Sequence, residues 1–431
     1  MKSLKEKILS HEARVAVVGL GYVGLPLACA FASKGYHVTG IDLSESKVES
    51  LKKGDSYIID VKSETLKSLV NEGRFTPTTD FAALRNVDCI SICVPTPLAK
   101  TGEPDVSYMI NARDYILPHL QKGTLFVLES TTYPGSTREL MIKPLQKAGF
   151  ELGKDVFVAF SPERVDPGNP KYNTLNTPKV VGGATSECTE LAVALYSSII
   201  PMIVPVSSCE AAEMAKLLEN TFRSINIGLV NEIAIMCKYL GIDVWEVIKA
   251  ASSKPFGFMP FYPGPGIGGH CIPIDPLYLS WKLRTLHYKA RFIELADDIN
   301  SAMPDYVVGL IGEALNEHKK SIKGSKILLL GMAYKKDIDD LRESPSLLVY
   351  DRLRQKGAEL YYHDPFIKSF RYNDETITGV GGENMGQYDC IVVLTNHSCF
   401  DYDAIAKSAQ LIVDTRNATK DIADRSNIVT L

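Results

Sequence analysis

Through roughly the first two hundred positions, apolar residues fall in short runs, each closed by glycine or by a Ser/Thr/Pro-rich stretch. In RVAVVGLGYVGLPLACAFASKGYHVTGID, Val15–Val18 reads as a buried strand and Gly19, Gly21 and Gly24 as a turn. Leu25–Ser33 then reads as a helix ended by Lys34-Gly35, and HVTGID as the next strand. DCISICVPTP, LFVLESTT and VFVAFSP are further apolar runs, each ending in a polar loop. Strands alternating with helical patterns predict βαβ units and a parallel sheet. Ligands of such sheets sit beyond the carboxyl ends of the strands, where these loops would lie.

From about residue 208 the pattern changes. SSCEAAEMAKLLENTFRSINIGLVNEIAIMCKYLGI lacks proline and keeps a helical apolar period for some thirty residues, longer than the usual globular helix. Ile225, Leu229, Ile233 and Met236 put apolar groups on more than one face, so this helix needs a partner on each side, between domains or between subunits. A second helical stretch is expected from Pro276 to about Asn316. The opening plan then returns in KGSKILLLGMAYKKDIDDLRESPSLLVYDRLRQKGAELYYHDP, with DCIVVLTNH and LIVDTRN echoing the earlier strands. The predicted fold is α/β: two Rossmann-like, doubly wound parallel-sheet domains at 1–207 and 318–431. A long central helix and a helical dimerisation region at 208–317 join them. The second turn, Gly331-Met332-Ala333, lacks the full glycine pattern and is expected to bind something other than a second dinucleotide.

Gly19-Leu20-Gly21-Tyr22-Val23-Gly24 is a GxGxxG turn that follows a strand, opens a helix and meets Asp42 about 20 residues on. The glycines permit a tight turn and close approach to a pyrophosphate at the helix N-terminus. A carboxylate at Asp42 would accept from a ribose 2′-OH and repel a 2′-phosphate, which favours NAD over NADP. The competing reading is a glycine turn with no cofactor.

Composition narrows the class. With 431 residues, two or three domains are expected, and the net charge of −4 gives no basic surplus for nucleic acid or an anionic membrane. No run of 18 apolar residues would span a bilayer, and residues 1–14 are too charged for a secretory signal. Nine cysteines, scattered and without a CxxC pair or zinc-finger spacing, fit reduced thiols in a cytoplasmic protein and no metal site.

Of the nine, only Cys271 follows a glycine-rich segment, in GPGIGGHCIPIDP. It is either packing beneath that loop or a nucleophile. An NAD enzyme with a nucleophilic cysteine would oxidise an aldehyde through a thioester and release a carboxylate. Asp275-Pro276 reads as a helix start, which would put Cys271 just before a helix N-terminus; Asp275 would also serve as a base for water. Lys216 and Asn220 lie i,i+4 on the long helix, either on a solvated face or as donors aimed at an oxyanion. Glu163 and Thr132 sit in loops after strands, a place suited to an acid/base group and a water-positioning hydroxyl.

In this order, GLGYVGLPLA, ESTTYPG, SPERVDPGNP, EMAKLLENTFRSINIGLVNE, PGPGIGGHCIPIDP and GMAYKKDIDDLRESPS resemble the UDP-glucose/GDP-mannose dehydrogenase family, over about residues 14–420. The resemblance implies an NAD domain, a central dimerisation region and a C-terminal domain for the nucleotide sugar. It implies oxidation of the sugar C6 alcohol to a carboxylate with two NAD. By motif position Cys271 resembles the nucleophile, Lys216 and Asn220 the groups at the C6 oxygen, and Asp275 the partner that activates water. Glu163 and Thr132 resemble the ordered-water and acid/base contributors. The cofactor set it implies is Gly19, Gly21, Tyr22, Val23, Gly24, Asp42 and Lys47, with Val94, Pro95, Thr96, Ser130, Thr131 and Thr132 in the later loops. On the substrate side it implies Glu163, Arg164, Lys216 and Asn220, then Tyr262, Gly264, Gly266 and Gly268. Lys335 and Arg416 would contact the UDP-sugar. Arg342 would join them or serve the domain's structure.

One departure bears on the substrate. Glucose enzymes of the family carry an arginine before the glycine loop, where this chain has Lys254-Pro255-Phe256-Gly257-Phe258, and they favour GG-x-C-x-P-K-D over GGHCIPIDP. Both features resemble the branch that oxidises UDP-N-acetylhexosamines, UDP-N-acetyl-D-glucosamine above all, for surface polysaccharides. The galacto and manno epimers and UDP-glucose stay open as alternatives. A two-electron hydroxyacid-type dehydrogenase would use neither a nucleophilic cysteine nor a second α/β domain. A non-catalytic nucleotide-binding regulator would need neither Lys216 nor Cys271.

Overall fold

The computed structural model describes residues 2–58, 60–99, 103–165 and 171–431, so the end of SPERVDPGNP, from Asp166 to Pro170, lies outside the described residues. The chain forms two compact units, Met1–Glu219 with Trp281–Tyr288, and Asn220–Ser280 with Lys289–Leu431.

The first unit is built on eight strands: β1 (Arg14–Val18), β2 (His37–Ile41), β3 (Phe75–Thr78), β4 (Cys89–Ile92), β5 (Thr124–Leu128), β6 (Val156–Phe160), β7 (Lys179–Gly183) and β8 (Ile203–Val206). They pair in the order β3-β2-β1-β4-β5-β6-β7-β8. Chain order reverses at β1/β4, the place where a doubly wound sheet opens a crevice. The central strands β1, β4, β5 and β6 are largely apolar and almost wholly buried because both their faces are covered. Val15 and Val17 enter one core cluster with Phe31 and Tyr36. Ala16 and Val18 enter the other, with Met109 and Phe126. All pairings are parallel except β6 with β7, which run antiparallel with Phe160 opposite Gly182.

The second unit repeats the plan with β9 (Lys326–Leu330), β10 (Glu359–His363), β13 (Cys390–Val393), β14 (Ile412–Asp414) and β15 (Ile428–Thr430), all parallel, ordered β10-β9-β13-β14-β15. A hairpin of β11 (Ser369–Tyr372) and β12 (Glu375–Thr378) stands apart. Ile327 and Leu329 enter one core cluster, Leu328 and Leu330 the other.

The expected long helix is Cys209–Leu240, and the boundary between the units falls within it. The stretch expected to be helical from Pro276 to Asn316 is two helices, Asp275–Arg284 and Arg291–Glu317. The break comes where His287 takes a left-handed φ of 60° and the Tyr288 amide turns back to the Leu283 carbonyl. That closure ends a helix much as a glycine would.

Candidate functional site

In the first unit the three glycines of the GxGxxG turn meet different surroundings. Gly19 has φ 91°, and a Cβ there would lie 2.5 Å from the Cys93 carbonyl oxygen. A Cβ at Gly24 would lie 1.8 Å from the Gly19 carbonyl oxygen, so this glycine lets the helix Gly24–Ser33 start tight against the turn. A Cβ at Gly21 would meet nothing within 4 Å, so the middle glycine guards open space rather than protein. Asp42, at the end of β2, accepts from the Leu20 amide at 3.0 Å and the Ser44 amide at 2.9 Å, with the Lys47 ammonium 3.5 Å away. Its side chain keeps 12% exposure. Tyr22 is exposed, and Val23 is half-buried.

Two further strand ends are tied together. Thr96 Oγ1 donates to the Thr131 carbonyl at 2.7 Å, and Ser130 Oγ to the Val94 carbonyl at 2.8 Å. Pro95 between them is exposed. Thr132 is fully buried, and its Oγ1 has no hydrogen-bond partner among the described residues. An orphaned hydroxyl is costly unless something else pairs it. The open side of Gly21, the accessible Asp42 and this hydroxyl fit a dinucleotide, with its pyrophosphate at the helix N-terminus.

The loop after β6 presents Glu163, whose Oε1 accepts from the amides of Arg164 and Val165 at 2.7 and 2.8 Å. Arg164 is engaged elsewhere: its guanidinium pairs with Glu219 at 2.6 Å and donates to the Pro178 carbonyl at 2.8 Å. Lys216 lies on the long helix at 8% exposure, and Asn220 one turn later at 4%. The solvated-face alternative for this pair therefore fails.

In the second unit Cys271, Asp275 and Asn220 are brought together. The Asp275 amide donates to the Cys271 carbonyl at 2.8 Å, and Asn220 Nδ2 donates to Asp275 Oδ2 at 2.5 Å. Asp275 is the first residue of its helix rather than the cap before it. Cys271 is exposed; of the other eight cysteines only Cys399 is. Beside it, burial and the Arg342 charge hold the His270 imidazole below its ordinary pKa.

The glycines before Cys271 pack against protein. A Cβ at Gly264 would lie 2.5 Å from Arg416 Nη1, and one at Gly268 would lie 2.6 Å from Tyr334 Cβ. Gly266 has φ 133°, and a Cβ there would press on Pro345. The loop thus needs glycine to lie flat on the segment 334–345, and the Gly269 amide donates to the Arg342 carbonyl at 3.1 Å. Arg342 itself clasps Asp340 through two nitrogens, at 3.0 and 2.7 Å. Arg416 donates through Nε to the Leu394 carbonyl at 2.9 Å. Burial lowers its pKa to about 10, with Asp414 opposing. No carboxylate lies within ion-pair distance of it among the described residues. Lys335 is half-buried in the same segment. Tyr262 is exposed and stacked on Trp245, with ring centroids 6.4 Å apart.

Several supporting residues escape sequence reasoning. Glu213 is fully buried on the long helix and accepts from the amides of Gly135 and Thr137 and the hydroxyls of Ser136 and Thr137, all within 2.9 Å. It pins the loop that carries Thr132. Asn231 accepts from the Gly264 amide at 3.0 Å and donates to Asn300 at 2.8 Å, anchoring the glycine loop. The available signal was a polar residue at an apolar position of a helical period, which does not say what it will bind. Among the described residues no group of His, Cys, Asp or Glu side chains is placed to hold a metal ion, and no helix is long and apolar enough to cross a membrane.

Comparison with known proteins finds the same architecture. Residues 13–200, 210–302 and 328–421 match the NAD binding, central and UDP binding domains of the UDP-glucose/GDP-mannose dehydrogenase family. A UDP-N-acetyl-D-mannosamine dehydrogenase of Methanococcus vannielii is 36% identical over 430 residues, 96% of this chain and 94% of that one. A UDP-N-acetyl-D-glucosamine 6-dehydrogenase of Pseudomonas aeruginosa is 36% identical over 392 residues, 90% and 92% of the two chains. The solved structure of the UDP-D-ManNAc dehydrogenase from Pyrococcus horikoshii matches with a TM-score of 0.88 at 33% identity, covering 97% of this chain and 98% of that one.

Proposed function

The chain belongs to the UDP-glucose/GDP-mannose dehydrogenase family of NAD-dependent nucleotide-sugar oxidoreductases, and from that premise we propose that it oxidises C6 of a UDP-N-acetylhexosamine to the carboxylate. The observation that carries the reading is the exposed Cys271 beside the buried Asn220–Asp275 pair, on a chain with an open dinucleotide turn.

Bound NAD supplies the hydride acceptor, used twice per sugar. The chain's residues do the rest. Lys216 and Asn220 stabilise the C6 oxygen as it gains negative charge. Cys271 sulfur adds to the C6 aldehyde, and loss of hydride from that adduct leaves a thioester. Asp275, Glu163 and Thr132 orient and deprotonate the water that releases the acid. Arg416 and Lys335 bring positive charge to the diphosphate; Arg416, with no carboxylate at ion-pair distance among the described residues, is suited to it. Arg342 and Arg164 serve the structure, since their guanidinium groups are taken by Asp340 and Glu219.

UDP-N-acetyl-D-glucosamine is the substrate the sequence resemblance favours, supported by relatives of that name from Pseudomonas aeruginosa and Salmonella typhi. UDP-N-acetyl-D-mannosamine, its C2 epimer, is the second reading, favoured by the Methanococcus and Pyrococcus relatives. A dimer through the central helices is supported by Phe222, Leu229 and Met236, an exposed apolar stripe at seven-residue spacing, and by exposed Phe292 and Leu295. The absence of paired cysteines supports a reducing, cytoplasmic setting.

The test is NADH formation from the UDP-activated Glc, GlcNAc, GalNAc and ManNAc sugars, with two NADH expected per molecule of an N-acetylated sugar. Cys271→Ser should stop multiple turnover and accumulate a covalent ester detectable by intact-mass spectrometry, because an oxygen ester hydrolyses more slowly than a thioester. Full oxidation by Cys271→Ala at the wild-type rate would show that the thioester route is wrong.

A further inference from the structure

Six of the eight strands of the first sheet, β1 to β6, run the same way; β7 and β8, reached through the one antiparallel pairing of β6 with β7, run the other way. Reversal at β7 has a local consequence. The amino end of β7 lies beyond the carboxyl end of β6, at the edge where the loops after β4, β5 and β6 gather. The residue delivered there is Lys179, at 3% exposure.

A buried ammonium is unfavourable unless carboxylates surround it. Lys179 has two. Its Nζ is 2.8 Å from Glu129 Oε2 and 3.8 Å from Glu163 Oε2. Glu129 is saturated, since its other oxygen accepts from the Tyr196 hydroxyl at 2.5 Å, and Tyr196 is itself bonded to Ser91 at 3.2 Å. The Lys179 ammonium also lies 5.1 Å from the Tyr196 ring centroid. Glu129 and Tyr196 therefore fix the lysine, and the lysine faces Glu163. Glu163 differs from Glu129: its side chain keeps 16% exposure, and only its Oε1 is bound by backbone amides.

We propose that Lys179 is a positioning residue for the reaction, holding Glu163 Oε2 in place with a fixed positive charge that Glu129 and Tyr196 anchor from behind. This rests on the reading that Glu163 serves the chemistry. The trio carries one net negative charge, and burial favours its residence on the one member open to solvent. Burial works against the Lys179 charge, but Glu129 and then Glu163 outweigh it and keep the lysine protonated. The other groups facing the cluster are Cys93, which burial keeps a thiol, and Arg164, which is occupied by Glu219.

The experiment uses the double variant Glu129→Gln/Lys179→Met, because Lys179→Met alone would leave Glu129 charged and unpaired in the core. In the full-length enzyme, kcat should fall roughly 10–100-fold, the usual effect of misplacing a reacting group by about an ångström. KM for NAD and for the UDP-sugar should stay within about two-fold, since neither is held by Lys179. Lys179→Arg should restore most of the rate. A crystal structure of the double variant should show the Glu163 carboxylate turned from its present place. Wild-type kcat, with Glu163 unmoved, would overturn the assignment. Glu163→Gln is the control. If it runs at the wild-type rate, the reading of Glu163 falls, while the position of Glu163 in the double-variant crystal still judges Lys179.

Discussion

The first turns of the two parallel sheets share a backbone plan and differ in where their carboxylate is spent. The Gly19 amide donates to the Ile41 carbonyl at 2.7 Å, and the Gly331 amide to the His363 carbonyl at 3.0 Å. Both glycines have positive φ, and a Cβ on either would lie 2.5 Å from atoms of the next strand's loop. From there the turns diverge. Where the first has open Gly21, the second has fully buried Ala333. Where the first starts a helix at Gly24, the second runs to Pro345 before its helix begins. Asp42 keeps an accessible oxygen. Asp364 is enclosed, accepting from the amides of Met332, Ala333, Phe366 and Ile367 and from His397 Nε2 at 3.1 Å. The His397 Nδ1 accepts from the Asp337 amide, which fixes the tautomer. One carboxylate keeps some exposure beside an open turn; the other has become the keystone of a closed loop.

The sharpest break of this comparison is to put the same side chain on both turns. Gly331→Val should destabilise by about 3 kcal/mol or more, because it adds backbone strain at φ 83° to a clash with Thr395 backbone. Gly21→Val should leave thermal stability within about 1 kcal/mol yet weaken NAD binding by roughly 100-fold, since it fills space that no protein atom uses. Calorimetric melting and NAD titration together read both; equal melting temperatures for the two variants would end the argument.

A smaller effect is expected at Asp364. Burial raises its proton affinity, but the His397 hydrogen bond and the amides of Ala333 and Phe366 outweigh that and hold its pKa below the ordinary carboxylate value. Its contribution is therefore complete above the unfolded value of about 3.9 and fades as pH falls through the lower folded value. Asp364→Asn should cost about 2 kcal/mol at pH 7 and flatten the acid side of the stability curve. Denaturant midpoints across pH 2–7 would check this, and identical acid limbs in wild type and variant would refute it. Smallest is Asp42→Ala. The wild type should prefer NAD, and the variant should narrow the NAD/NADP ratio in kcat/KM by about ten-fold, or 1.4 kcal/mol.

The alternation of apolar runs made both sheets legible, because a strand covered on both faces is apolar at every position. Gly19, Gly24 and Asp42 were legible because turn chemistry leaves few choices of residue. What escaped was mostly long-range. Lys179 follows Asn-Thr-Pro in sequence and reads as a surface residue until the antiparallel turn of β7 carries it inward. Glu213 and Asn231 look like ordinary helix polarity until the loops they hold are known. The glycine-rich run before Cys271 was legible as a special backbone, but not what lies against it. In the fold its glycines make room for Tyr334, Pro345 and Arg416, a tertiary contact that no local pattern encodes.

The segment Trp281–Tyr288 has a consequence for how the chain is made. It belongs to the first unit, where Trp281 packs on Tyr133 and Lys282 pairs with Glu139 at 2.7 Å. A ribosome releasing the chain from its amino end therefore cannot deliver a complete first unit when Glu219 emerges. It must add roughly seventy more residues, several seconds at usual elongation speeds, and most of them are destined for the second unit. During that interval the face around Tyr133 waits uncovered. A nascent chain stalled before Trp281 should accordingly be more open to protease at the 133–139 loop than one stalled after Tyr288.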